Sequence, residues 1–210
     1  MSTEHLVDTP GGPARLHLDE PEVGGARGLL VLGHGAGGST TAPDLRALAA
    51  AGPRAGFAVV RVEQPYRVAG RRSPPPAGLL DEAWVCAVAA ARTLIEGDVP
   101  VVVGGRSSGA RVAARTIHVT GALGLLALAF PLVNPRGVSR QPELDAVGVP
   151  VLILQGDRDA FGMPTQTPQH RVHVLAGADH ALRGRGAQIV EVVLPWLAEV
   201  LGPAPLSSAC

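Results

Sequence analysis

With 210 residues, 46% of them hydrophobic and 17% charged, the chain has the apolar material for one full core and lacks the charge density of a disordered segment. Its formal net charge is zero, and its 18 basic residues are all Arg and scattered, so no basic face selects nucleic acid or an anionic membrane surface. Aromatics make up only 3%, which leaves Val, Leu and Ala to build the interior.

The first residues, MSTEHLVDTPGG, carry neither the basic start nor the apolar segment of a secretory signal. The longest apolar stretch, 122–133, is broken by Gly124 and Pro131 and is too short to span a bilayer. Cys86 and Cys210 do not make a disulfide framework. These features lead us to expect a cytoplasmic protein of one domain, 1–210, with no membrane or nucleic-acid partner; they leave the oligomeric state open.

In chain order, HLVDT and ARLHLDE flank the turn signal PGGP and form an opening hairpin. GLLVLGHG is the first strongly buried strand, followed by a helix from about Pro43 that ends at Ala51-Gly52-Pro53. FAVVRVEQ is a strand, and RRSPPPAG is a loop, because three consecutive prolines exclude helix and ladder alike. A helix is expected over about Leu79 to Glu96, closed by Gly97. PVVVGG, ALGLLALAF and VPVLILQG are nearly continuous apolar runs, as strands covered on both faces require. Between the last two, PLVNPRGVSRQPELDAVG holds at most a short helix. RVHVL is the last strand and Gln188 to Leu201 the last helix, with Pro195 inside it. Strands alternating with helices define an α/β domain with a mostly parallel sheet.

On such sheets, ligands bind at the carboxyl ends of the strands. There Gly105-Arg106-Ser107-Ser108-Gly109 matches G-x-S-x-G between a strand and a helix. A nucleophile on so sharp a turn needs tiny residues two positions before and after it. Ser107 has Gly105 and Gly109, whereas Ser108 has Arg106 and Ala110. Ser107 is therefore the nucleophile candidate, and Ser108 supplies its backbone N–H. A glycine-rich turn with a serine at a helix start is the bland alternative.

A serine hydroxyl needs a base, and the base needs an orienting carboxylate. His180 lies in AGADHALRG, after the carboxyl end of the last strand and within reach of Ser107. His173 falls inside that strand, and His170 just before it. In LILQGDRDAFG, Asp159 is better placed than Asp157 to turn back to a histidine, while Asp157 braces the loop. Asp179 cannot face His180 Nδ1 while the ring points at Ser107. The oxyanion hole requires two N–H donors, assigned to Ser108 and to Ala36 of the Gly33–Gly38 loop, where His34 holds the backbone. The same loop also fits G-x-G-x-x-G, with Glu63 where a ribose-binding acid would stand, so a dinucleotide-binding protein is a competing reading.

Taken together, LGHGAGG, GGRSSGARVA, LILQGDRDAFG and GADHAL resemble the α/β-hydrolase superfamily over nearly the whole chain. More narrowly, HGAGG, EQPYR, GGRSSGAR and FPLVNP resemble a small dienelactone-hydrolase-like branch, itself similar to a domain of a nonspecific-lethal chromatin complex subunit. The resemblance implies an α/β-hydrolase fold: an eight-stranded, mostly parallel sheet with an antiparallel second strand, flanked by helices. It also implies a Ser107-Asp159-His180 triad and no cofactor or metal. The segment 130–149 leaves no room for a large cap, so the site should be open, with walls drawn from Tyr66, Arg67, Leu79, Phe130, Leu132, Phe161, Met163 and Leu182. Arg67, Arg71, Arg72 and Arg106 are candidates to accept a substrate carboxylate. The expected activity is hydrolysis of a small-molecule ester or thioester through an acyl-serine. A catalytically idle scaffold with the same fold is the alternative.

Overall fold

The apolar runs become strands because each alternates its side chains between two covered faces, a period of two that leaves no polar side to expose. In a computed structural model, which describes residues 2–202, the strands are β1 (Ser2–Val7), β2 (Ala14–Asp19), β3 (Leu29–Gly33), β4 (Ala58–Glu63), β5 (Val101–Arg106), β6 (Gly124–Leu128), β7 (Val151–Gly156) and β8 (His170–Leu175). They form one eight-stranded sheet in the order β1-β2-β4-β3-β5-β6-β7-β8. Strand β2 runs antiparallel to β1 and β4, and every other pairing is parallel.

The helices are α1 (Pro43–Ala51), α2 (Pro65–Val68), α3 (Ala77–Thr93), α4 (Ser108–Thr120), α5 (Gln141–Asp145) and α6 (Gly186–Leu201), with a 3-10 turn at Pro53–Ala55. Leu29 and Val31 of β3, Val101 and Val103 of β5, and Val151 and Ile153 of β7 pack towards α3 and α4. Their neighbours Leu30, Leu32, Val102, Leu152 and Leu154 pack on the other side, with Leu45 and Leu48 of α1 and Ile189, Val193 and Leu197 of α6. Leu80, Ala83, Trp84, Ala87, Val88 and Ala91 give α3 its buried stripe at helical spacing. The opening hairpin, the eight strands and the absence of a cap match expectation, since only the five-residue α5 interrupts the excursion between β6 and β7.

Four local expectations are corrected. Helix α3 begins at Ala77 and ends at Thr93, not Leu79 and Glu96, because Pro76 already has the extended backbone of an N-cap. The turn of helix α2 was not anticipated; it follows the extended Gln64 and starts at Pro65, whose fixed φ suits a first helical position. Helix α6 starts two residues before Gln188, at Gly186. His170 is the first residue of β8, not a loop residue before it, and is buried. Cys210 lies outside the described residues. No helix among the described residues is long and apolar enough to cross a membrane.

Strands β3 and β5 are neighbours, yet the chain leaves them in opposite directions across the sheet, to β4 and to β6. The crevice at their carboxyl ends is the topological switch point, where α/β sheets bind ligands. Gly33 of β3 and Gly105 of β5 are paired there.

Candidate active site

Ser107 stands between β5 and α4 with φ 51° and ψ −110°, a region that a non-glycine residue occupies only when its surroundings force it there. The flanking glycines explain how the turn fits. A Cβ on Gly105 or Gly109 would lie 2.4 Å from the Gly33 carbonyl oxygen, well inside van der Waals contact. The small residues required around Ser107 are thus needed by the packing of the elbow against β3 as much as by the turn itself. The Ser107 N–H is anchored to the Leu128 carbonyl oxygen of β6 at 2.9 Å.

Strands β7 and β8 bring the other two residues over this turn. Ser107 Oγ donates to His180 Nε2 at 2.9 Å, and His180 Nδ1 donates to Asp159 Oδ2 at 2.8 Å. The Asp159 side chain has no solvent exposure, whereas a quarter (26%) of the His180 side chain is exposed. A buried carboxylate is retained where its oxygens are hydrogen-bonded. Here Phe161 N–H donates to Oδ1 at 2.9 Å and Gln155 Nε2 to Oδ2 at 2.8 Å. Gln155 also reaches the Gly162 carbonyl oxygen at 2.8 Å, so it ties the acid to the loop that carries it. Sequence reasoning missed Gln155. Its signal was a lone amide at the end of the apolar run VLILQG, which the structure buries completely.

The alternatives fall elsewhere. Asp157 accepts from Gly177 N–H at 2.7 Å and braces the β8 loop, as expected. Asp179 turns to Ala181 N–H at 2.9 Å. His173 is an exposed residue of β8, and His170 lies at the opposite end of that strand from the site.

Facing Ser107 is the loop after β3. Ala36 borders the cavities on both sides of the serine, and Ser108 N–H, at the first position of α4, has no acceptor within its own helix. His34 holds this loop: Nδ1 donates to the Gly35 carbonyl oxygen at 2.9 Å and Nε2 accepts from Gln64 N–H at 3.2 Å. Burial, chiefly, pushes the His34 pKa down, which favours the neutral ring that this arrangement needs. The dinucleotide reading fits less well. Helix α1 begins only at Pro43, so the glycine loop does not open a helix as a pyrophosphate cradle must, and Glu63 is paired with Arg15 at 3.4 Å. Among the described residues no cluster of three or more His, Cys, Asp or Glu side chains could hold a metal ion.

A second layer straps these parts together. Arg106, the residue before Ser107, donates through Nη2 to the His180 carbonyl oxygen at 2.7 Å. Its Nε lies 3.5 Å from Asp44 Oδ2, a carboxylate in the first turn of α1 with 1% side-chain exposure. Burial raises the Asp44 pKa, and the Arg106 charge opposes that rise. One guanidinium therefore joins the nucleophile turn, the histidine loop and the helix after the glycine loop.

Ser107 separates two cavities. The smaller, about 180 Å³, lies between the glycine loop, Arg106 and His180. The larger, about 380 Å³, is walled by Pro74, Pro75 and Phe161, together with Arg111, Arg115 and Arg140. Of the expected wall residues, only Phe161 lines a cavity that contains Ser107; its ring centroid is 4.5 Å from that of His180. Phe130 and Leu182 are corrected to core positions: Phe130 is fully buried, and a left-handed backbone at Leu182 (φ 48°) turns that side chain inward. Tyr66 is also buried, behind the loop and against His34, and lines a separate small cavity with Leu79. Arg67 donates to the Arg71 carbonyl oxygen instead of facing the serine. Arg106 is committed to Asp44 and His180, so it is not free to bind a carboxylate. A further open concavity of about 480 Å³, bordered by Asp19, Glu20 and Glu22, sits at the other end of the sheet and contains no nucleophile.

Sheet order, nucleophile turn and the hydrogen-bonded Ser-His-Asp series define the class as an α/β hydrolase. Residues 26–191 match the family model described as an alpha/beta hydrolase domain, and the chain belongs to that family. A lid-less α/β serine hydrolase from Xanthomonas campestris is 20% identical and superposes with a TM-score of 0.78 over 97% of each chain. Est1E from Butyrivibrio proteoclasticus is 15% identical, with a TM-score of 0.76 over 93% of this chain and 98% of its own. A dienelactone hydrolase from Anabaena variabilis is 18% identical, with a TM-score of 0.73 over 96% of this chain and 99% of its own. A search of curated proteins finds no match.

Proposed function

We propose that the protein is a serine hydrolase of small-molecule carboxylic esters or thioesters, acting through an acyl-serine on Ser107. The observation that carries this is the continuous hydrogen-bonded series from Ser107 Oγ through both ring nitrogens of His180 to the buried Asp159. Ser107 Oγ attacks the acyl carbonyl carbon while His180 Nε2 takes its proton. Asp159 keeps the other ring proton on Nδ1 and stabilises the imidazolium that forms. The oxyanion is held by the Ala36 and Ser108 N–H groups, the second aided by the positive end of α4. His180 then returns the proton to the departing alcohol or thiol. A water molecule, deprotonated by the same ring, attacks the acyl carbon; the bond to Ser107 Oγ breaks, His180 returns the proton to that oxygen, and the carboxylic acid leaves. The elements of water are consumed, and no cofactor enters.

A fluorophosphonate probe tests the reading. The wild type should be labelled, and Ser107→Ala should lose both labelling and p-nitrophenyl ester turnover, the latter by roughly 10⁴-fold or more. Equal labelling of the two proteins, or none of either, would leave the fold serving as an interaction scaffold.

A further inference from the structure

The larger cavity beside Ser107 carries a charge arrangement that the hydrolytic steps above do not use. Arg111 and Arg115 stand one turn apart on α4, and both are engaged. Arg111 makes a two-pronged pair with Glu143 of α5, with Nε–Oε2 at 2.8 Å. Arg115 does the same with Asp81 of α3, with Nε–Oδ2 at 2.9 Å. Arg140 completes this wall and differs from both. Its Nη1 donates to the Pro131 carbonyl oxygen at 2.8 Å, and among the described residues no carboxylate pairs with it. The wall thus holds one more cation than carboxylates, in a chain whose basic and acidic residues are equal at 18 each.

The surroundings sharpen that excess. Burial, then the Arg111 charge, disfavours the protonated Arg140; Glu143 offsets part of this and Arg115 adds to it, so its pKa is lowered. A guanidinium stays protonated regardless, so what remains is a positive potential that Glu143 relieves only in part. Pro74, Pro75, Pro131 and Phe161, which also line the cavity, offer no acceptor side chain to compete with an anion for the guanidinium. A guanidinium presents planar, parallel N–H donors that match a carboxylate, and charge-assisted bonds of this kind are the strong ones.

We propose that the substrate carries a carboxylate besides its scissile bond, and that Arg140 binds it in this cavity while Ser107 attacks the acyl group. This rests on the hydrolase reading and specifies its substrate class: a half-ester or half-thioester of a dicarboxylic acid, or an ester whose leaving group is acidic.

The test compares kcat/KM on p-nitrophenyl butyrate, which is neutral, with mono-p-nitrophenyl glutarate and 4-butyryloxybenzoate. These place the carboxylate on the acyl and the leaving side respectively. The wild type should favour one charged ester over the neutral one by roughly 10- to 100-fold. Arg140→Gln should reduce that ratio to within about twofold, Arg140→Lys should retain part of it, and Arg136→Gln, an exposed change in the same excursion, should leave it intact. No preference in the wild type, or an unchanged ratio in Arg140→Gln, overturns the proposal and leaves the hydrolase reading standing. Binding supplies the second arm. By calorimetry, Ser107→Ala should bind monoethyl glutarate at least ~10-fold more tightly than ethyl butyrate, and Ser107→Ala/Arg140→Gln should not. That difference without any turnover by the wild type would sink the hydrolase reading and keep the carboxylate site.

Discussion

The nucleophile turn and the excursion between β6 and β7 border the same cavity, but side chains take very different shares in holding them. The turn is fixed by backbone against backbone. Gly105 and Gly109 lie so close to Gly33 that no side chain fits between them. The excursion, residues 129–150, has backbone anchors at its start, from Ala129 N–H to the Leu154 carbonyl oxygen and from Val133 N–H to that of Phe161. Its cavity wall, however, is tied to α4 by a side-chain pair, Glu143 with Arg111. Backbone contacts cannot be exchanged without moving strands, whereas ion pairs can be rewired one residue at a time. On the proposed reading, the chemistry sits on the backbone-limited turn and the recognition on the wall that a side-chain pair ties down.

The sharpest way to break this contrast is at the glycines. Gly109→Ala must push β3 and α4 apart, and we expect a loss of at least about 3 kcal/mol, read as a drop in the urea midpoint, with activity falling in step. A stable, fully active Gly109→Ala protein would show that the turn is not backbone-limited.

Next in size is Asp159→Asn, which leaves the packing but presents an amide that can donate to Nδ1. The ring then takes the wrong tautomer, with its proton on Nε2 facing Ser107. A fall in kcat of roughly 10³- to 10⁴-fold with little change in the unfolding midpoint is expected.

The smallest effect is expected from the Arg106 strap. Arg106→Gln removes the donor to the His180 carbonyl and strands the buried Asp44 carboxylate. We expect kcat to fall about 10-fold through misplacement of the histidine, with KM unchanged, and stability to drop by about 2–3 kcal/mol. The double variant Arg106→Gln/Asp44→Asn removes the stranded charge as well. It should regain most of the stability without regaining kcat, which separates charge burial from histidine positioning. Recovery of both together would make Arg106 a purely structural residue.

Most of the fold was legible because every central strand is an apolar run and the connections after β3, β4 and β5 each carry a helix signal, although the one between β7 and β8 has none. The triad candidates were legible for a related reason: Ser107, Asp159 and His180 each follow a strand, and a parallel sheet gathers such positions at one edge. The cavity walls were not. Phe130 and Leu182 also follow strands or strand-end loops, but whether such a side chain faces the core or the cleft is decided by single backbone angles, such as φ 48° at Leu182, that no periodicity reports. Arg111 and Arg115 could have been found. They follow Ser107 at four-residue intervals, the spacing that puts them on the face of α4 nearest the nucleophile. Arg140 had no such signal, because it precedes the five-residue α5 in an irregular excursion.

The positive φ of Ser107 has a consequence for how the chain can change. A backbone held at φ 51° costs a non-glycine residue about 1–3 kcal/mol, and glycine would occupy the same turn without that cost. Folding alone therefore prefers a third glycine at this position, and only the hydroxyl argues for serine. Drift at this one codon would thus make the protein sturdier while erasing the group on which the proposed activity depends.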